Sequence, residues 1–392
     1  MNVLLVTTSY PLSKNSPSGI FVQRLKSSLD SLCSVDVVCP DDADTLDDVK
    51  GVWRVRYGLK KWQSLAHKPG GIPAAIKRDR RYFLLVPFLL VSMQISIIRH
   101  LSRCDVIFAN WAINALIAWL PSIIFGKPLI TTFRGEDVRN LDKGLQAFIV
   151  KMALLMSDKV VLVSKDMETA LIRRFPDCKG KLEVIHNGVD SRLLEGGISA
   201  EVPVEGGRIQ ILTVASLIPR KDINTLINAI AIINKTSSSH INMVLNVVGG
   251  GELEAELQVS CGVKKISNNV VFHGELAPVD VERMYRQAQL FVLPSLFEGR
   301  PNVVVEAMAA GCCVIVSDID GSRELIGNEK NGLIFPVGNA KVLAEKILSV
   351  TEDSNKRIAL GNAGRDYVIR HGLSWSGCAS TYYQIFDELS AA

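Results

Sequence analysis

Residues 290–317 read LFVLPSLFEGRPNVVVEAMAAGCCVIVS, and this stretch decides the fold class. An unbroken apolar run of strand length (290–293) leads into a turn, then into small and apolar residues at helical spacing, then into a second apolar run (313–317). Pro301 stands where a first helical turn tolerates a missing N–H. Strands of this length separated by a helix imply a right-handed βαβ unit of a parallel sheet.

The same rhythm extends outward in both directions. Apolar runs at 3–7, 35–39, 106–109, 129–132, 160–163 and 182–185 alternate with helical patterns. After a polar, glycine-rich stretch (195–207) it restarts at 210–215, 242–248 and 270–274 before reaching 290–293. The expected fold is α/β, with two Rossmann-like doubly wound domains facing a central cleft, one over 1–195 and one over 196–373. HNGVDSRLLEGG, from His186, reads as the hinge, with Asn187-Gly188 as turn residues. Ligands of such sheets sit beyond the carboxyl ends of the strands.

At 392 residues the chain is too long for one ordinary core, and no segment has a disordered composition. Its net charge of +4 hides an asymmetry. Residues 1–200 carry 27 Lys and Arg against 19 Asp and Glu, and the remainder 17 against 21. A basic first half suits phosphate or anionic lipid. Nucleic acid is not expected, because no recognition motif or interleaved aromatic patch accompanies the charge. The eight cysteines show no CxxC pair, and Cys312-Cys313 are adjacent, so reduced, buried thiols in a cytoplasmic protein are expected. MNVLLVTTSYP reads as a first buried strand and not as a signal peptide.

KRDRRYFLLVPFLLVSMQISIIRH (77–100) stands apart. Its apolar part, 83–98, falls short of the roughly 20 residues a spanning helix needs and is interrupted by Pro87. Two readings stay open. One is a buried helix of the first domain. The other is a helix lying on the cytoplasmic face of the inner membrane, with Arg78, Arg80 and Arg81 meeting lipid phosphates. Upstream WRVRYGLKKW (53–62) adds basic and aromatic residues of the interfacial kind.

Chemistry concentrates in PSLFEGRPNVVVEAMAAG (294–311). Free N–H groups of the turn and first helical turn can hold an anion or sugar hydroxyls. Glu298 projects from the turn, and Glu306 lies between one and two turns into the helix, where it could accept from a ribose diol. Two carboxylates against two sets of hydroxyls, with a helix end between them, describe a sugar-nucleotide pocket. The bland alternative is one N-terminal helix carboxylate and one solvent-facing glutamate.

The segment resembles the retaining glycosyltransferases of family 4, which have the GT-B architecture and a PS…EG.P…..EAMA.G.PV signature, among them bacterial teichuronic-acid and exopolysaccharide transferases. The resemblance implies transfer of a hexose from a UDP- or GDP-linked donor, without metal or other cofactor, to a glycan or polyprenyl-linked acceptor in cell-surface polysaccharide synthesis. It also implies entry of the acceptor on the face the nucleotide leaves, with no settled protein nucleophile. Glu298 would hold donor hydroxyls and Glu306 the ribose, with Gly299, Arg300, Pro301 and Asn302 supplying the backbone and helix end between them. VASLIPRKDINTLINAIA (214–231) resembles the family's GRL…KG segment: Lys221 matches the diphosphate-binding lysine, Ser216 stands at the arginine position, and Arg220 supplies the second charge or is a solvated basic residue. NVVGGGELEAEL (246–257) and VFHGEL (271–276) resemble the turns lining the nucleotide pocket, through Gly250 and Gly274.

In the first domain Gly19 lies in a loop after the first strand, where a glycine permits close approach of the backbone to donor phosphate; the family commonly has two glycines here, and Ser18 takes the first place and Gly19 the second. PLITTFRGEDVRN (128–140) has Arg134 where many members have a histidine, with Gly135 and Asp137 retained, and FANWA (108–112) has Asn110 where another histidine often stands. Arginine cannot act as a base near neutral pH but can orient hydroxyls or neutralise phosphate. Arg134 is therefore expected to contact substrate, with Asn110 and Asp137 on the acceptor side. Asp318-Ile319-Asp320 has metal-motif spacing but follows a strand of the second domain, and the resemblance assigns it to the donor pocket. SWSGCASTYYQIFDEL, from Ser374, is expected to cross back onto the first domain as a helix over 374–392. Three rivals remain: a sugar-nucleotide epimerase, which can share the architecture, a non-catalytic sugar-nucleotide-binding or scaffold protein, and a two-domain protein of unassigned function.

Overall fold

A computed structural model of the chain describes residues 1–12, 19–42, 45, 49–59, 63, 65–66, 71–138, 141–142, 144–202, 208–236 and 242–391. Ser18, the end of the basic aromatic stretch (60–62) and Asn140 lie outside the described residues.

The chain divides into two compact units, Met1–Asn187 with Trp375–Ala392, and Gly188–Ser374. The division falls at Asn187/Gly188, inside the expected hinge and eight residues ahead of the expected 195/196 boundary. Residues 188–195 join the second unit because the backbone N–H of Val189 donates to the carbonyl of Leu373, 2.9 Å away. The two chain crossings thus run side by side.

The first unit is built on seven parallel strands: β1 (Asn2–Thr7), β2 (Ser34–Pro40), β3 (Val52–Val55), β4 (Val106–Asn110), β5 (Leu129–Phe133), β6 (Lys159–Leu162) and β7 (Leu182–Val184). Their order is β3-β2-β1-β4-β5-β6-β7. The second unit has six: β8 (Ile209–Val214), β9 (Met243–Val248), β10 (Val270–Gly274), β11 (Leu290–Leu293), β12 (Cys313–Ser317) and β13 (Leu333–Phe335), in the order β10-β9-β8-β11-β12-β13. Both sheets grow one way from their first strand and then reverse. The reversal opens a crevice at the carboxyl ends of β1 and β4 in one sheet and of β8 and β11 in the other. The central strands are apolar on both faces because helices cover both.

β3 and β13 escape sequence reading. Each is a short edge strand that needs one neighbour only. β3 overlaps the start of the stretch expected to be interfacial, yet Val55 is buried in the sheet and Trp53 stacks on His100 with ring centroids 4.5 Å apart. Pro87 does not interrupt its helix either. It occupies the first turn of the helix Val86–Leu101, behind a 3₁₀ segment, Arg80–Leu85, whose preceding Asp79 accepts from the Arg81 N–H. All eight cysteines are free and buried. Burial pushes the thiols of Cys39, Cys312 and Cys313 up to about 12, so they stay protonated near neutral pH.

The C-terminal helix Trp375–Ser390 belongs to the first unit. Trp375, Cys378, Tyr382 and Phe386 line its inner side and join the core formed by β1, β2 and β4. Phe108 packs 5.1 Å from Tyr382 and 5.4 Å from Phe386, and the Tyr382 hydroxyl meets Thr132 Oγ1 at 2.9 Å. Phe386→Ala is expected to destabilise the first unit by about 3–5 kcal/mol, read as an earlier unfolding transition in urea, with the transition of the second unit unmoved.

Candidate functional site

At the reversal point of the second sheet, the turns after β8 and β11 meet. The β8 turn is a 3₁₀ segment, Pro219–Lys221, closed by Asp222 in the left-handed region (φ 44°). That bend is steadied by Thr225 Oγ1, which donates to Asp222 Oδ2 at 2.6 Å. The carbonyl of Arg220 accepts from the Leu296 N–H at 2.9 Å, tying the two turns through their backbones. Their side chains then converge on Glu298. Arg220 Nη1 lies 3.1 Å from Glu298 Oε2, and Lys221 Nζ pairs with Oε1. Ser295 Oγ also donates to Oε1, at 2.8 Å. Glu298 is only 8% exposed, so its charge is held by partners and not by water.

Gly321 holds the turn from behind. A Cβ added there would lie 2.1 Å from the Gly299 carbonyl oxygen and 2.6 Å from that of Glu298, so no larger residue fits without moving the turn. Lys221, Arg220 and Glu298, expected as diphosphate and hydroxyl ligands, are therefore together, with an addition the sequence did not reveal. The glutamate neutralises the cations it stands beside, and two cations against one carboxylate leave one positive charge at the crevice.

The remaining donor-side residues vary in placement. The Gly250 carbonyl accepts from Leu217 N–H at 2.9 Å and the Gly274 carbonyl from Gly249 N–H at 2.8 Å, so these turns interlock just beyond exposed Ser216. Pro301 precedes the helix Asn302–Ala309 and is not in its first turn; Asn302 and Gly299 are exposed. Glu306, half-buried, accepts from the Tyr285 hydroxyl at 3.1 Å. Arg300 is engaged elsewhere: its side chain is 3% exposed and its Nε lies 3.8 Å from Glu324. Asp318 and Asp320 both face Arg323, at 2.7 and 3.3 Å, and the first hydrogen bond lowers the Asp318 carboxyl from its usual range.

The first unit gathers its expected residues at the β1/β4 reversal. Asn110 ends β4, opposite Thr7 of β1, and the two side chains bond at 3.4 Å. Arg134, 5% exposed, donates from Nε to Asn110 Oδ1 at 3.2 Å and from Nη1 to Asn187 Oδ1 at 2.6 Å, with its guanidinium 4.2 Å over the Phe21 ring. Burial lowers its pKa. It is a latched cation and not a mobile one. Asp137 accepts from the backbone N–H groups of Arg134 (2.8 Å) and Ala112 (3.3 Å), which makes it the brace of the Arg134 loop. Gly19 adopts φ 75°, and a Cβ there would meet the Ser9 carbonyl at 2.8 Å, so its close approach is to the chain's own backbone. Sequence reasoning missed Phe21, Tyr285 and Trp111. Trp111 holds a positive φ of 82° beside Asn110 and stacks edge-on with Phe21 at 6.4 Å. The available signal was for Trp111 alone, an aromatic residue adjacent to Asn110.

Comparison with known proteins follows this division. Residues 18–193 match the family model Glycosyltransferase Family 4, and residues 198–367 match Glycosyl transferases group 1. The chain belongs to the glycosyltransferases that these two models describe. An uncharacterized glycosyltransferase of Methanocaldococcus jannaschii is 28% identical over 264 residues, which is 67% of this chain and 69% of the relative. Among solved structures, sucrose-phosphate synthase from Thermosynechococcus elongatus superposes with a TM-score of 0.77 at 21% identity, covering 100% of this chain and 99% of that one. The Anabaena protein HepE in complex with UDP and glucose gives 0.72 at 18% identity over 100% of both chains. These likenesses establish the GT-B fold, with its two Rossmann-like domains, for this glycosyltransferase.

The braced loop yields a pH prediction. Burial raises the Asp137 carboxyl to about 7, against the lowering effect of its two N–H donors. A raised folded-state pKa means that the native enzyme holds a proton the unfolded chain has released, so this group's contribution to stability falls between about pH 4 and 7. Asp137→Asn removes the titration. Its melting temperature relative to the unaltered protein should rise as pH increases through that window, measured by scanning calorimetry at a series of pH values.

Proposed function

We propose that this protein is a retaining hexosyltransferase that moves a sugar from a UDP- or GDP-linked donor to a glycan or polyprenyl-linked acceptor in bacterial cell-surface polysaccharide synthesis. The observation that carries this reading is the Lys221–Glu298–Arg220 cluster at the reversal point of the second sheet. Loss of a nucleoside diphosphate builds negative charge on the leaving oxygen, and fixed cations placed there stabilise the transition state more than the ground state. Lys221 and Arg220 come pre-positioned by Glu298 and Ser295, so little reorganisation accompanies the reaction. The first N–H groups of the helix Asn302–Ala309 add the positive end of a helix dipole beside them. Electrostatic assistance of this kind supplies the function a divalent metal would otherwise serve, and the reading assigns the reaction no metal or other cofactor.

In this reading Glu298 keeps Lys221 and Arg220 placed for the diphosphate while also accepting from a donor-sugar hydroxyl, and Glu306 takes the ribose with Tyr285 fixing its orientation. Ser216, Gly250 and Gly274 line the nucleotide through backbone groups. On the first unit, Asn110 and Arg134 orient the acceptor without exchanging protons, since a guanidinium stays protonated at neutral pH. The HepE complex with UDP and glucose supports this choice of donor class.

Lys221→Ala is expected to lower the rate of sugar transfer by a factor of about 10²–10³, and Glu298→Gln to lower it by at least about tenfold through loss of cation placement. Donor choice is read first by thermal shift. At a hundredfold excess over its dissociation constant, the true nucleotide sugar adds about 2.7 kcal/mol of stability, and Lys221→Ala should reduce that shift. Transfer and donor binding that survive both substitutions unchanged would remove this assignment. Conversion of a nucleotide sugar to an isomer without acceptor would replace transfer with epimerisation.

A further inference from the structure

One face of the seven-stranded sheet carries three neighbouring helices, Val86–Leu101, Ala112–Phe125 and Gly144–Met156. The first packs on the second and the second on the third, and all three bury residues in one core. Their outward sides are also apolar. Phe88, Val91 and Ile95 of the first helix, Ile123 and Ile124 of the second and Phe148 of the third are between 44% and 62% exposed. More than half of the large apolar side chains left exposed among the described residues belong to this layer and its leading 3₁₀ segment, Arg80–Leu85. A helix layer facing water carries polar residues on its outer side, and a contiguous apolar patch of this kind marks an interaction surface.

Charge identifies the occupant. The three helices contain no aspartate and no glutamate, while Arg99 and Lys151 are exposed on them. Arg78, Arg80 and Arg81 are exposed at the entry to the first, where Asp79 is held by the Arg81 N–H. Two copies of such a face would bring like charges together with no acid on the helices to answer them. Anionic lipid headgroups answer them directly. The geometry also sets the mode of contact. The segment Arg80–Leu101 has 22 residues, enough in length and composition to cross a bilayer. However, Leu89, Met93, Ile97 and Leu101 recur every fourth residue and are sealed against the sheet, so a spanning arrangement would strip the core.

We propose that this three-helix face docks onto an anionic bilayer. The helices lie in the plane of the interface, the apolar side chains enter the boundary between headgroups and acyl chains, and the arginines meet lipid phosphates.

The test uses the full chain and vesicles of phosphatidylcholine mixed with phosphatidylglycerol, beside vesicles of phosphatidylcholine alone. Sedimentation with the mixed vesicles is expected at low salt and should weaken as salt rises. Ile95→Glu with Ile123→Glu should reduce it by about tenfold or more, and Arg80→Gln with Arg81→Gln should reduce it further at physiological salt. A second readout leaves the face intact: Trp119, 36% exposed on the same layer, should contribute fluorescence quenched by brominated lipid, a component missing in Trp119→Phe. Absence of binding by the unaltered protein, equal binding by the folded glutamate variant, or no quenching difference would each overturn the proposal. So would a concentration-dependent dimer abolished by the glutamate variant in a protein that ignores vesicles. Sugar transfer is not read in any arm, so failure here leaves the catalytic assignment untouched.

Discussion

A carboxylate removed from water costs several kcal/mol unless an opposite charge meets it at close range. Glu298 is such a group, and its partners arrive from a different strand. The requirement therefore ties the end of β8 to the end of β11 across the point where the sheet order reverses. Everything else at that crevice follows from the tie. Gly321 must lack a side chain so the turn can sit where the charges need it, Asp222 must bend the chain at the right residue, and Ser295 must fill the remaining coordination of the carboxylate. An acid beside two bases is often read as a site that weakens phosphate binding. Here it also fixes where the bases are, and the surplus positive charge survives.

The first unit solves a similar problem with different chemistry. Among the described residues no carboxylate forms a salt bridge with buried Arg134; two asparagine oxygens and an aromatic face receive its donors and charge instead. Its hydrogen-bonding partners are neutral, and the Asp137 carboxyl acts on its charge without bonding the guanidinium. The cation is held rigidly, which suits it to orienting an oxygen-rich ligand through a field and not through proton exchange.

Much of this was legible before any coordinates. Eleven of the thirteen strands among the described residues announce themselves as apolar runs, because a strand covered on both faces by helices favours apolar residues on both. The pair formed by residues 290–293 and 313–317 set the fold, and the residues from 294 to 311 set the site. What stayed hidden has a common cause. β3 and β13 are edge strands of four and three residues, stabilised by one neighbour and invisible to periodicity. Tyr285, Phe21 and Asn187 act by contacts with residues far away in sequence, and no local pattern reports such a contact. Arg300 reads as a ligand from its place in the motif, but three-dimensional packing brings it to Glu324. The long apolar segment kept two readings because one side of its helix is core and the other is exposed.

The last helix completes a core whose other parts lie at the opposite end of the chain. Tyr382 and Phe386 close over Phe108, Val3 and Val37, so the first unit to be synthesised is the last to be finished. On a ribosome the second unit can reach its native packing while the first still waits for its final helix. The order of maturation is then the reverse of the order of translation, and residues 3 and 386 share one fate.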